Sequence, residues 1–572
     1  MSSDKQDSKN SKVRKRIQQR LSQLTSDRSA FIEDWRDIRD YTWGSRGRYL
    51  ENQTSKQKYP RRNDRLYNHE AKQSAGVLAS GMMAGITSPS RPWFKLQTPD
   101  DEMMEFGSVK QWLEDVEKIM MGIFSKSNFY SAMHSFYLEL GIFGVSPMGI
   151  YEDRQNMAKK AGNLIYFENY TCGNYFLDIG EQRMVDTMYR EYAVSVETAA
   201  KTWGLDKLSE EAQRMYKNNG KNGSISVIHA IEPRFDRDFM SPLSSEMPYA
   251  SVYIENTASN WQEPLQVSGF TSKPFVAGRW EVIGEDVYPS SYPGLNALST
   301  NKTLQMLEID KSTAIEKQHN PPLVGDASLA TSGVDLVAGG VTYIPGMAQA
   351  GKPGLSPVYN TNPNISHLIE DINKKEQTIQ RYFFADLFLM LTEIDRSQIT
   401  ATEIAERKEE KLLMLGPVLE RLNSDVLDPI IDRVFDIAQN HGVLPPPPPE
   451  LDGVDLEVEY ISILAQAQKA ISTASIESTA RFAGELSGIW PEARHKFDAM
   501  QAIDEYAKAK GAPQRIVRTD DAAAAEADAE VQAMMAQQAH ESAASMADTA
   551  KTTSETKLDQ DSVLDALLGG MQ

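Results

Sequence analysis

The sequence predicts an α+β protein, predominantly helical. Three observations lead there. Apolar residues recur at three- and four-residue steps over long stretches, most clearly in 401–439. Short runs of alternating character crowd between residues 163 and 256. Helical patterns at 292–318 and 364–384 flank a Gly- and Pro-rich stretch with strand-like runs. A chain of 572 residues has room for three or four packing units.

Residues 1–30 read as a charged, fraying helix. Residues 63–86 form a helix whose small side chains (Ala71, Ala75, Gly76, Ala79, Gly81) permit close packing. "TSPSRPWFKL" stops it at Pro89 and Pro92, with Trp93 and Phe94 as core anchors. Helical patterns return at 108–124 and 129–143. "NLIYFEN", "DTMYREYAV", "SVIHAIEPRF" and "YASVYIEN" read as one antiparallel sheet, with Gly220 and Asn222-Gly223 supplying turns.

The second half begins with a helix, a compact β-rich insertion and a second helix. The first helix carries a thin stripe of Leu298, Leu304, Leu307, Ala314 and Ile315. Residues 319–362 form the insertion, with runs such as "GGVTYIP". The second helix aligns Ile365, Leu368, Ile372, Ile379 and Phe383. After "ADLFLMLTEIDRSQI", the stripe of 401–439 runs through Ile404, Leu412, Leu415, Leu419, Leu422, Val426, Ile430, Val434 and Ile437. Pro417 and Pro429 interrupt it. Each interior proline costs about 3 kcal/mol, and each buried large aliphatic returns roughly 1.5–3 kcal/mol. Nine aliphatics outweigh two prolines, so the segment is expected to stay helical and kinked. Pro445–Pro449 is a polyproline spacer, helices continue to about residue 510, and the Ala-rich acidic tail is a lone helix or disordered. No internal repeat is present.

Net charge is −20, unevenly spread. Residues 1–62 hold sixteen Lys/Arg against eight Asp/Glu, and residues 519–572 hold two against eleven. That leaves −19 on the body between them. A tight sequence-reading DNA binder needs a basic body to neutralise phosphates. Here nucleic acid is either irrelevant or must pass by without sticking. "MSSDKQDSKN" is polar and no apolar core of a signal peptide follows, so the chain is expected to start in a cytoplasm, with no membrane partner.

Catalytic motifs find no foothold, and no cofactor is expected. "GMAQAGKP" (346–353) fits the phosphate-loop pattern until Pro353, which lacks the magnesium-binding hydroxyl. Gly354 and Pro357 forbid the helix that would present amides to phosphates. The closest histidines, His495 and His540, are 45 residues apart, so no zinc pair on one helix exists. "GVSPMG" lacks the spacing of a nucleophile elbow. Asp100, Asp101 and Glu102 read as a solvated loop. The single cysteine, Cys172, excludes an intrachain disulfide and reads as a small buried hydrophobe.

Several motifs, in order along roughly residues 25–510, carry a resemblance. They are "LASGMMAGITSPSRPWFKL", "SNFYSAMHSFYLELGIFGVSPMGIYED", "DTMYREYAVS", "YPGLNALSTNKTLQMLE" and "QITATEIAERKEEKLLMLGPVLERLNSDVLDPIIDRVFDI". The chain resembles the portal (head-to-tail connector) proteins of short-tailed phages. The resemblance implies a ring of twelve subunits around a channel for double-stranded DNA, each subunit built of wing, two-helix stem, clip and crown. It implies an arm and wing at 1–291, stem helices at 292–318 and 363–384, and a clip between them at 319–362. It further implies a tunnel loop at 385–400, the long kinked helix at 401–442, a return to the wing at 443–470, a crown at 471–518 and the acidic tail at 519–572.

On that reading the long helix bends because it runs from the channel wall to the ring's rim. Candidate channel-facing cations are Lys302, Lys311, Lys317, Lys374, Lys375, Arg381 and Arg396; exposed or intersubunit ion pairs are the alternative for each. Glu393, Asp395, Arg396 and Ser397 would project from the tunnel loop. The partners implied are further copies of the chain, DNA, the terminase motor, capsid and scaffold proteins, tail or adaptor proteins, and internal virion proteins. The site of action would be the virion's capsid vertex, after assembly in the bacterial cytoplasm. Two rivals are a packaging ATPase or nuclease, and a structural capsid or tail protein that never meets DNA.

Overall fold

The N-terminal helix α1 (Ser2–Tyr41) lies on one face of a five-stranded antiparallel sheet. This computed structural model describes residues 2–50, 66–99, 106–153, 163–218, 223–256, 264–319, 323–325, 355–357, 365–393, 415–451, 456–461, 463–490, 496–510 and 525–540, and single residues at 453, 492, 517 and 523. The expected fraying of 1–30 is corrected. Ile17, Leu21 and Leu24 recur at helical spacing inside the basic sequence and are buried on Phe176, Tyr189, Ile228 and Val252. Arg28, also buried, donates to the carbonyls of Gly173 (3.1 Å) and Tyr175 (2.6 Å), with its guanidinium over the Phe176 ring. Burial lowers its pKa, and the backbone oxygens take over from water.

The sheet orders its strands as β4 (Tyr175–Ile179), β5 (Val185–Ser195), β6 (Ser224–Pro233), β7 (Tyr249–Glu255) and β8 (Gln266–Phe270). Opposing faces alternate as the pleat requires. Tyr189 and Ala230 meet α1, while Arg190 and His229, one residue away on paired strands, face the other side. "NLIYFEN" does not join this sheet. As β3 (Ile165–Asn169) it pairs with β2 (Val145–Glu152), which also pairs with β9 (Phe275–Arg279) in a separate three-stranded sheet. Alternation announces a strand but not its partner.

The helical layer uses the small residues seen in the sequence. Helix α2 (Glu70–Gly85) buries Ala71, Ala75, Leu78, Ala79 and Met82. A Cβ on Gly81 would lie 2.2 Å from the Phe388 ring, and one on Gly141 would lie 2.5 Å from Leu78. Trp93 and Phe94 are fully buried with Phe124, Phe129 and Phe167, at ring-centroid separations from 4.5 to 6.4 Å. Phe124 lies near the end of α3 (Gly107–Lys126), and Phe129 opens α4 (Phe129–Phe143). Short helices α5 (Val196–Trp203) and α6 (Glu210–Lys217) start at Ser195 and Ser209, whose hydroxyls accept from Thr198 and Ala212 backbone amides.

Two longer helices follow, α7 (Pro293–His319) and α8 (Ile365–Tyr382), then α9 (Ala385–Glu393). Between α7 and α8, strands β10 (Leu323–Gly325) and β11 (Leu355–Pro357) pair antiparallel. The rest of the insertion, including "GGVTYIP" and "GMAQAGKP", lies outside the described residues, as does 401–414 of the proline-bearing stripe. The described part of the stripe is helical at 415–422 and continues through a π-turn, Asn423–Leu427, into α10 (Asp428–Asn440). The amide of Asp428 bonds to the carbonyl of Asn423, five residues back. Widening the turn immediately before Pro429 accommodates a residue that has no N–H to give.

The π-turn also aims Asp425 at Arg279 on β9, 3.4 Å away in a buried pair. Arg433 on α10 is buried too. It donates to the carbonyls of Ile150 (3.0 Å) and Ser272 (2.9 Å) and to the Ser272 hydroxyl (2.8 Å).

The described residues divide into two units, the first comprising 1–95, 116–445 and 462–468. The second comprises 96–115, 446–461 and onward from 469. Its described helices include most of α11 (Ile463–Ile489) and α12 (Ala499–Lys510), linked by the Tyr506 hydroxyl donating to Glu477 at 2.8 Å. Within the acidic tail, residues 525–540 are helical and exposed.

Arg279 and Asp425 each lose hydration. Burial raises the Asp425 carboxyl and lowers the Arg279 guanidinium, and each partner opposes the other's shift. Removing one partner, by Arg279→Leu or Asp425→Leu, is expected to cost about 3–5 kcal/mol by stranding a buried charge. The double variant should be more stable than either single variant. Denaturant midpoints for the four proteins check this, and a double variant no better than the worse single would remove the pair from the account.

Candidate functional site

Helices α7 and α8 form an antiparallel pair whose inner end is locked by polar side chains. Gln305 on α7 accepts at Oε1 from the backbone amides of Tyr67 (2.8 Å) and Asn68 (3.0 Å), and its Nε2 donates to the Asn68 carbonyl. The Asn68 amide donates to Glu308 of α7 (3.1 Å) and to Glu376 of α8 (2.8 Å). One side chain therefore bridges both helices. Gln380 of α8 donates to Glu70 at the start of α2. Matching Glu308 with Glu376 fixes the antiparallel register, and the two helices run outward together toward β10 and β11.

Burial fades along that direction. All fully buried residues of α7 lie between Pro293 and Gln305, and those of α8 are Ile372 and Ile379. Met306, Ile309 and Ile315 of α7 and Ile369 of α8 are exposed. A pair of helices with this much apolar surface in water has an unfilled packing requirement.

The proposed channel cations are distributed along the same pair. Lys302 bonds to Asp37 of α1 at 2.6 Å and lies 5.4 Å from the Tyr41 ring centroid. Lys311 pairs with Glu308 one turn back. Lys374 pairs with Glu370 at 2.8 Å, both exposed. Lys317, in the last turn of α7, and Arg381 are exposed, and Lys375 is half-buried. Each helix balances its charge. On α7, Lys302, Lys311 and Lys317 are matched in number by Glu308, Asp310 and Glu316; on α8, Lys374, Lys375 and Arg381 are matched by Glu370, Asp371 and Glu376.

After α8 the chain turns sharply at Phe384, in the left-handed region (φ 53°), with its ring 6.1 Å from Trp280. A bulky residue held there stores strain that packing must offset. Helix α9 then lodges Phe388 in the notch at Gly81. Glu393 is the last residue of α9; Asp395, Arg396 and Ser397 lie outside the described residues.

A family model of bacteriophage head-to-tail connecting proteins matches residues 14–517. The chain belongs to that family. It is 38% identical over 554 residues to the portal protein of Salmonella phage epsilon15, covering 97% of this chain and 98% of the relative. It is 39% identical over 498 residues to a probable portal protein of Bordetella phage BPP-1, covering 87% of each. As a head-to-tail connector it is a virion component. Among the described residues, no group of three or more His, Cys, Asp or Glu side chains is placed to hold a metal, and no helix is long and apolar enough to cross a membrane.

The connector has a second organised region, unnoticed in the sequence, on the sheet face away from α1. His229 is fully buried and stacks on Tyr253 at 3.9 Å between ring centroids. Arg190 donates from Nε to His229 Nδ1 (3.2 Å), so the neutral ring carries its proton on Nε2, which donates to Ser251 at 3.0 Å. Arg190 also bonds to Glu168 (2.9 Å) and covers the Tyr170 and Tyr192 rings. Nothing in the spacing of these residues marks them. Arg190, Tyr192, His229, Ser251 and Tyr253 meet because β5, β6 and β7 pair in one register, while Glu168 and Tyr170 come from β3 and the residue after it.

Burial, and then the Arg190 charge, hold the His229 imidazolium well below its usual pKa. An unfolded chain protonates this histidine as pH falls through about 6.5, while the folded chain does not. Stability is therefore lost as pH drops below about 6.5, at a limiting slope of about 1.4 kcal/mol per pH unit for this group. His229→Asn should flatten that slope. Unfolding midpoints between about pH 5 and 8 for both proteins check it, and identical slopes would exclude His229 as the source.

Proposed function

We propose that this connector is the portal of a short-tailed phage. It forms a ring of twelve at one capsid vertex, nucleates head assembly, docks the terminase, conducts double-stranded DNA in packaging and ejection, and attaches the tail. The observation that carries this reading is the match along nearly the whole chain to a protein named as a portal. On this reading α7 and α8 are the stem, 319–362 the clip, 385–400 the tunnel loop and 471–518 the crown. The chain assembles in the host cytoplasm, meets scaffold and capsid proteins there, and presents its acidic tail to internal virion proteins.

Two features of the molecule favour a ring with a channel. The outer half of the helix pair leaves Met306, Ile309, Ile315 and Ile369 exposed, and neighbouring copies would cover them through heterologous contacts. The pair itself carries no surplus of positive charge. Each neutralised phosphate adds affinity and hence friction, so a balanced wall suits DNA that must slide. The enzyme rival would need a metal or nucleotide site, and the phosphate-loop pattern fails at Pro353.

Negative-stain images of the purified protein should show closed rings with a central hole. A monomeric mass by light scattering, across salt and protein concentrations, would refute the ring. Arg396→Ala should leave ring assembly and motor docking intact while changing DNA retention or packaged genome length, because one cation per subunit would meet phosphates transiently. Virions carrying the variant with wild-type genome length and no leakage would remove Arg396 from the functional residues.

A further inference from the structure

Nothing in the local sequence calls for the break between α8 and α9. Residues 365–393 hold no glycine and no proline, and the stretch across the break, "QRYFFADLFLML", is rich in strong helix formers. The apolar stripe also runs through it. Ile372, Ile379, Phe383, Leu387 and Met390 follow at steps of seven, four, four and three, the period of one uninterrupted helix.

The helical hydrogen bonds stop and restart at a single residue. The amide of Phe383 reaches back to Ile379 (3.1 Å) and that of Phe384 to Arg381 (3.1 Å). The Phe384 carbonyl then accepts from the amides of Leu387 (3.1 Å) and Phe388 (3.2 Å), which opens α9. Phe384 itself has φ 53°, a conformation that glycine adopts freely and phenylalanine resists. Tertiary packing imposes it. Ala385, Leu387 and Phe388 are buried where α9 lies on the body, and the Phe384 ring stands 6.1 Å from Trp280. The notch that takes Phe388 has no slack: a Cβ on Gly81 would lie 2.2 Å from its Cγ and 2.7 Å from its Cβ. Local preference therefore favours one backbone form and burial favours another. Opposed preferences of this kind make an element with two packings.

We infer that the α8–α9 joint is a conformational switch centred on Phe384. In one form, the one in this structure, Phe384 is left-handed and α9 lies on α2. In the other, Phe384 takes right-handed backbone and residues 365–393 become one helix. Passing from the first to the second relaxes Phe384 and withdraws Phe388 from the notch at Gly81. A contact that α9 makes in one form alone shifts the ratio by its differential affinity, so the joint is a place where assembly or a bound partner redirects α9. The switch belongs to the single chain, goes beyond the portal reading and does not depend on it.

The test places spin labels at Gln377→Cys on α8 and Leu389→Cys on α9, both exposed, in the full chain, whose native Cys172 is buried. Unlabelled chain in excess ensures that pulsed electron resonance reads distances within one chain. A continuous helix puts the two Cα atoms about 18 Å apart, and the bent form brings them closer. Gly81→Ala, which crowds Phe388 out of its notch, should raise the ratio of long to short distances at least about fivefold. Phe384→Gly added to Gly81→Ala should reverse that gain, because glycine takes left-handed backbone without strain and weakens the straight helix. A single short distance in both the wild type and Gly81→Ala overturns the switch, as does a gain that Phe384→Gly leaves in place. Should Gly81→Ala fail to fold, Phe384→Ala takes its place: it removes the ring that stands against Trp280 and keeps the bias towards helix, so long distances should gain, and unchanged distances overturn the switch.

Discussion

Close approach between helices is the constraint on which the projecting parts of this molecule depend. A Cβ on Gly294, at the start of α7, would lie 2.0 Å from the carbonyl oxygen of Ile142 on α4. A Cβ on Gly81 would strike Phe388, and one on Gly141 would strike Leu78. Backbone oxygen cannot move aside as a flexible side chain can, so Gly294 sets the position at which α7 leaves the body. Gly141 sets α2 against α4, and Gly81 sets α9 against α2. Where a Cβ would overlap a neighbouring helix, glycine is the residue that fits. The helix pair beyond these glycines is positioned from their contacts outward.

Charge is handled by the same economy of position. Arg28, Arg279 and Arg433 are buried, and each donates to backbone carbonyls of another element. A guanidinium presents five donors in a fixed fork, so one side chain can tie two strands or a strand and a helix. Glu139 does the equivalent for an acid. Buried on α4, it accepts from Arg46, the Thr171 hydroxyl and the Cys172 amide. These groups contribute little net stability over an apolar filling, and they discriminate strongly against misplacement because a stranded charge is expensive. The strand partner that alternation failed to specify, β3 with β2 rather than with β5, comes with polar contacts of this kind: Asn128 donates to the Phe167 carbonyl and accepts from its amide, and Asn169 donates to the Ala132 carbonyl of α4.

What was legible in the sequence follows from range. The stop at Pro89 and Pro92, the Trp93–Phe94 anchor and the buried Ala71, Ala75 and Ala79 of α2 are local patterns that hold, although the helix expected from residue 63 begins at Glu70 and Gly76 meets no neighbour. The burial of α1 was missed because a basic composition masked a three-residue stripe, Ile17, Leu21 and Leu24. The Asn68 bridge joins residues 240 and 308 positions apart in the chain, and His229 meets Arg190 across 39. Periodicity has no purchase on separations of that kind. The π-turn before Pro429 is intermediate: the proline predicted a disturbance, and only the amide of Asp428 reaching Asn423 shows its form.

The balanced charge of the helix pair bears on how a portal would handle DNA. An exposed Lys374 held by Glu370 is not a fixed phosphate site, since a phosphate must compete with a carboxylate already 2.8 Å away. Lys311 faces the same competition from Glu308, which also accepts from Asn68. Lys317 and Arg381 sit at opposite ends of the pair, one near the insertion and one near the Phe384 turn, so the antiparallel register separates them by most of its length. A duplex carries a charge every 1.7 Å along its axis. Among the described residues, such a wall would offer it Lys317, Lys375 and Arg381 outside the ion pairs of Lys302, Lys311 and Lys374, and exchange among equivalent phosphates would leave no position along the DNA strongly preferred.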